Sequence, residues 1–196
     1  MGCRLAATSL GGMKNIDKTF KRALIRNLFE LERALSYING YNEIVTIAPT
    51  SWWSFFSYSS LAMYDAFMFH SMKILDEHPD VASFWFLHRN NKEEIEKILK
   101  AHKVPIRKVR LLSKKLALIR NKTHFHIDKN AVFDTDKVWK DADITGNFLN
   151  EVLNALWVTL REIHFNEIGE IFNQPIYDGS DVKKIILLAT ENGIIV

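Results

Sequence analysis

The sequence predicts an all-α fold, and three observations predict it. Apolar residues recur at spacings of three and four through several long segments, the period of a helix with one buried face. Only 4 prolines and 8 glycines punctuate 196 residues, and no stretch sustains the alternation of a half-buried strand. A composition 47% hydrophobic and 12% aromatic supplies a full core at this length. The simplest organisation is one helical domain over residues 14–196, preceded by a flexible N-terminal tail, residues 1–13.

Within the tail the apolar run is short and broken by Thr8, Ser9 and Gly11, which makes a poor signal peptide. Gly2-Cys3 is a start of the kind that carries lipids, but Ala6 stands where a myristoylation motif has Ser or Thr. Met13 is an equally good start for the folded part. The single cysteine, Cys3, excludes an internal disulfide and fits a reducing, cytoplasmic setting.

Asn15 to Asn39 reads as the first helix, with Asn15 as its cap, Phe20, Leu24, Leu28, Leu31 and Leu35 at core spacing, and Asn39-Gly40 as its end. Its basic residues Lys14, Lys18, Lys21, Arg22 and Arg26 read as a solvated face that could also widen a basic surface. After Pro49 a second helix starts at Thr50 or Ser51 and runs to about Glu77. Its first half, Trp52 to Tyr58, is apolar nearly all round, the mark of a buried or interfacial helix and a candidate dimer contact. Ser57, Ser59, Ser60, Asp65 and His70 interrupt it too often for a membrane span. His78-Pro79-Asp80 breaks the chain, and Val81 to His88 forms a short apolar piece. Asn90 or Asn91 then caps a third helix, with Glu93 and Glu94 in its first turn, ending near His102.

Pro105 opens the next helix, where its missing N–H costs nothing. Lys103 to Lys122 holds eight cations and no acid, a block that suits a polyanion, with Arg107, Arg110, Lys114, Lys115 and Lys122 as candidate RNA contacts. The bland reading of that block is a solvated helix face. Val109, Leu112, Leu116 and Ile119 share one stripe at about 100° per residue, and Arg120 falls inside it. A guanidinium on an apolar face needs a partner or an opening on its own side. Beyond it lie Asn121, His124, His126 and Asp128. The two histidines diverge by about 200° on an unbroken helix. Arg120 and His126 can flank one groove if the helix bends or a second copy completes the site.

Further on, Asn130 to Gly146 reads as a polar loop, and its four aspartates lack the Gly and terminal Glu of a calcium loop. Asn147 to about Asn173 is a long helix with Phe148, Val152, Leu156, Leu160 and Ile163 at core spacing, stopped by Pro175, and His164 beside that stripe reads as structural. Ser180-Asp181 starts a last helix to about Glu191. His78, His88 and His102 sit near helix ends, where a cap or surface role is the default. Phosphate-loop, Gly-x-Ser-x-Gly and di-iron patterns are absent, and His124 with His126 does not complete a zinc site. No cofactor or metal is expected.

Arg120-Asn121-Lys122-Thr123-His124-Phe125-His126-Ile127-Asp128 resembles the Arg, polar residue, variable residues, His signature of the HEPN superfamily of helical ribonucleases, and more narrowly its abortive-infection type. The resemblance implies an up-and-down bundle with short additional helices and a homodimer whose two motifs form one RNA-cleaving cleft without metal. It also implies roles: Arg120 holds the phosphate, His126 transfers protons, Asn121 and Asp128 orient them, and His124 is a spare acid. Asn121 stands where Asp is commoner, and Phe125 where a small residue is usual. An antitoxin partner belongs to such systems. One branch is silenced by modification of a Tyr two residues after the motif His, and Asp128 in that place speaks against that control. The rival reading is a dimeric helical module that binds nucleic acid or a protein without catalysis, with Arg120 and His126 in a buried polar network.

Overall fold

Thirty residues, Lys18–Ile47, wind into α1, the helix against which the two other long elements pack. This computed structural model describes residues 18–47, 54–124 and 135–192, and every regular element among them is helical. Phe20, Leu24, Leu28, Leu31 and Leu35 are buried along α1, as their spacing predicts. The predicted end at Asn39-Gly40 is not an end: the helix continues through Ile44, which is buried, to Ile47. The reason is tertiary. A Cβ at Gly40 would sit 2.9 Å from Met63 Sδ, so glycine lets the helix carrying Met63 approach, while Asn39 Nδ2 donates to the Tyr177 carbonyl at 2.9 Å. A pair that looks like a helix stop is used as a packing contact, and packing outweighs the local signal.

Helix α2, Ser54–Ile74, runs antiparallel to α1. The pairing shows it: Ile44 shares a cluster with Phe56 and Met63, Tyr41 faces Tyr64, Tyr37 stacks on His70, and Glu30 meets Lys73. The predicted start of this helix, with Trp52 and Trp53, lies outside the described residues. Of the described aromatics in its first half, Phe55 is 71% and Tyr58 73% exposed, while Phe56 packs against Ile44 and Ile186. No described helix is long and apolar enough to cross a membrane.

Ser83 caps α3, Phe84–Asn90, accepting from the Trp85 N–H at 3.3 Å, and the helix buries Phe84, Trp85 and Leu87. Helix α4, Lys92–Ala101, follows at once with Ile95, Ile98 and Leu99 inward, and α5, Ile106–Ile119, follows Pro105 with Val109, Leu112, Leu116 and Ile119 inward. His88 is buried rather than superficial: its Nε2 bonds Glu96 at 2.9 Å and its ring meets Trp85 edge-on.

The segment read as a polar loop contains α6, Thr135–Ala142. Val138 and Ala142 are buried and Trp139 packs on the core, an i, i+1, i+4 pattern too short to stand out among aspartates. Helix α7, Gly146–Ile168, is capped by Thr145 and stops at Gly169, whose φ of 81° is left-handed, well before Pro175. His164 is buried and its Nδ1 donates to the Glu170 carbonyl at 2.9 Å, the structural role expected of it. The segment that follows lies along α1, where the Tyr177 N–H donates to Ser36 Oγ, and α8, Ser180–Glu191, closes the end of the α1–α2 pair with Ile186.

Candidate functional site

Arg120 does find both a partner and an opening. At the end of α5 the helix widens into a π-helical turn, Arg120–His124, a local distortion found often at functional sites. Arg120 is its first residue. Its Nη1 donates to Asp76 Oδ2 at 2.8 Å and its Nε to Asn121 Oδ1 at 3.3 Å. Asp76 lies just past the end of α2, and its other oxygen accepts from the His78 N–H at 3.0 Å. The pair is neither buried nor fully wet, with 30% and 23% of the two side chains exposed. It lines a cavity of about 220 Å³ walled by Met72, Leu75, Ser113 and Leu116, with Lys114 and His78 at its edge.

The fold explains this corner. Val109, Leu112 and Leu116 bury the inward face of α5, and the stripe would bury Arg120 one turn later. The widened turn and the end of α2 instead leave space there, and Asp76 supplies the counter-charge. Asp76 was not predictable, because it lies 44 residues away and no spacing rule selects it among the acids of that loop. His78 keeps the surface role expected of it, its Nδ1 accepting from the Asp80 N–H at 3.3 Å, yet it also borders the cavity.

Of the predicted site residues, the structure brings Arg120 and Asn121 together. His126 and Asp128 lie outside the described residues, as does the side chain of His124. The predicted RNA contacts divide. Arg107 and Lys114 are exposed on the outer side of α5, with Lys114 at the cavity. Arg110 is exposed with its guanidinium 5.1 Å from the Trp85 ring centre. Lys115 is committed to Asp143, through both its carbonyl and its carboxylate, and Lys122 is half-buried. Lys108, in the same block, bonds Glu151 at 2.6 Å. The basic block therefore does two jobs: part ties α5 to its neighbours, and Arg107, Arg110 and Lys114 form an exposed stripe that leads to the Arg120 cavity.

A second polar cluster lies between α1 and α2. Glu30, with 3% of its side chain exposed, accepts from Lys73 Nζ at 2.8 Å and His70 Nδ1 at 2.7 Å and pairs with Arg26 Nε at 3.0 Å. Burial pushes its carboxyl pKa up, but the hydrogen bonds from Lys73 and His70, with their charge, outweigh that and hold it below the ordinary glutamate value. Among the described residues no three His, Cys, Asp or Glu side chains gather as a metal-binding group. In comparisons with known proteins, no family model, no curated protein and no solved structure matches the chain.

Proposed function

We propose that the protein is a metal-independent endoribonuclease of the HEPN type, acting through Arg120 and His126. The observation that carries this reading is the Arg120 guanidinium lining an open cavity at the first residue of the motif, where the helix widens. A forked cation at a concave surface suits a phosphate, and the exposed stripe of Arg107, Arg110 and Lys114 suits the rest of an RNA backbone. His126 takes the proton of a 2′-hydroxyl as its oxygen attacks the adjacent phosphorus. The bond to the 5′-oxygen breaks, that oxygen receives a proton, and the products are a 2′,3′-cyclic phosphate and a 5′-hydroxyl. Proton transfer contributes about 10²–10⁴ in rate, and charge stabilisation by Arg120 about 10²–10³. Two copies supply two motifs to one cleft, with an antitoxin protein as the restraint.

The Arg120–Asp76 ion pair favours a second reading, a non-catalytic dimeric module in which Arg120 fixes the α2–α5 contact. End-labelled RNA incubated with pure protein in EDTA, beside the His126→Ala variant, separates them. Cyclic-phosphate products formed by the wild type and lost in the variant establish the ribonuclease. Equal cleavage by both proteins sinks the role of His126, and intact RNA in both lanes favours the binding module.

A further inference from the structure

Helix α1 carries cations on one stripe, Lys18, Arg22 and Arg26 at four-residue spacing, followed by Arg33. Like charges at that spacing repel one another, so the stripe awaits something negative. Lys18, Arg22 and Arg26 line an open cavity of about 340 Å³ beside Ala82, and among the described residues no acidic one borders it. The acid nearest in the stripe is Glu30, buried beneath it. Glu30 fixes Arg26 through Nε while 61% of the Arg26 side chain stays exposed, and Arg33 Nη1, at 3.9 Å, is too far to hydrogen-bond it. Lys73 donates to its Oε1 and His70 to its Oε2. Arg26, Arg33 and Lys73 thus share one carboxylate, and among the described residues neither Lys18 nor Arg22 forms an ion pair. At the far end, exposed Tyr37 stacks on His70 at 5.7 Å and exposed Phe69 meets the same ring edge-on at 5.3 Å.

A staple between α1 and α2 accounts for Glu30, His70, Lys73 and the stem of Arg26. It does not account for Lys18, Arg22 or the cavity that they line with Arg26. We propose that this face of α1 binds the phosphodiester backbone of single-stranded nucleic acid. Lys18, Arg22, Arg26 and Arg33 contact phosphates, and Tyr37 and Phe69 offer surfaces on which bases stack. From Lys18 to Arg33 the helix rises about 22 Å, enough for several consecutive phosphates. Basic grooves flanked by aromatic rings bind single strands with little sequence preference and strong salt dependence. The inference goes beyond RNA cleavage and does not depend on it, because it requires no chemistry and uses helices other than the one that carries Arg120.

The test is fluorescence anisotropy with a labelled single-stranded DNA of about 20 nucleotides, which lacks the 2′-hydroxyl and so reports binding without cleavage. The double variant Arg22→Gln, Arg26→Gln is expected to bind about tenfold more weakly at physiological salt. The slope of log affinity against log salt should shrink by about 1.4, or 0.7 for each phosphate that is no longer neutralised. Lys18→Gln with Arg22→Gln, which leaves the Glu30 network intact, should act in the same direction if the first variant is poorly folded. Unchanged affinity and slope in well-folded variants overturn the proposal. Weaker binding with an unchanged slope also overturns it, since the residues would then shape the fold rather than touch phosphates. Loss of binding to phosphatidylserine vesicles with oligonucleotide binding intact assigns the face to a membrane surface instead.

Discussion

Two carboxylates among the described residues meet arginine, and they do so in opposite ways. At Glu30 the acid is buried and its cations reach outward; at Asp76 acid and cation are both half-exposed beside a cavity. A buried carboxylate held by two donors and an arginine is bound to its place, because losing a partner leaves a desolvated charge less compensated. A half-exposed pair is worth about 1 kcal/mol or less, and water or a ligand can replace one member. Glu30 therefore fastens α1 to α2 and leaves cations in surplus, whereas Asp76 orients Arg120 without consuming it. On the proposed ribonuclease reading, stability and chemistry belong to different corners of the bundle.

Exchanging the damage between the two corners is the strongest way to break that contrast. Arg120→Ala should lower RNA cleavage by about 10²–10³ while costing about 1 kcal/mol or less in urea unfolding. Glu30→Ala should do the reverse, costing about 3 kcal/mol. That is the low end for breaking a buried pair, because Arg26 and Lys73 can reach water while His70 Nδ1 loses its partner. Should Arg120→Ala unfold as readily as Glu30→Ala, the Arg120 corner is a staple too and the binding-module reading gains.

Asp76→Asn sharpens the comparison at smaller amplitude. Asparagine keeps an oxygen for the Arg120 Nη1 but removes the charge that holds the guanidinium toward α2. Cleavage should fall about tenfold, the scale of 1.4 kcal/mol in orientation, with the unfolding midpoint nearly unchanged. An Asp76→Asn protein that cleaves faster than wild type would show that Asp76 competes with the phosphate rather than positioning its receptor.

The difference between these corners also marks what was legible in the sequence. Apolar periodicity located α1, α5 and α7, because each buries a stripe several turns long; α2 was read from its aromatic density, α4 from its Asn cap and first-turn acids, and α8, which buries Ile186, from Ser180-Asp181. Arg120 announced itself by standing in such a stripe, and the demand for a partner and an opening was met. What could not be read were contacts across the chain. Asp76 was one acid among several in its loop, and the Glu30 network needs α1 and α2 to be laid antiparallel before its members meet. Local signals misled where packing overruled them, at Gly40, which admits Met63, and at α6, whose single turn of Val138, Trp139 and Ala142 is outnumbered by polar residues. Gly169 ends α7 with a left-handed residue that the later Pro175 overshadowed.

The finest test uses acid. Glu30 is held below its ordinary value of 4.5 in the folded state, so as pH falls the unfolded chain takes up that proton first. Where the unfolded state binds more protons, stability rises with pH. The Glu30 contribution is thus full above its unfolded pKa and is lost as pH drops through the folded one, from about pH 5 downward. Glu30→Gln removes the titration and leaves a side chain of similar shape. Wild type should be the more stable at pH 7, and the gap between the two urea midpoints should close as the pH is lowered toward about 3. A gap that stays constant across that range would mean that Glu30 contributes by shape and hydrogen bonding alone, and the charge contrast with Asp76 would fall with it.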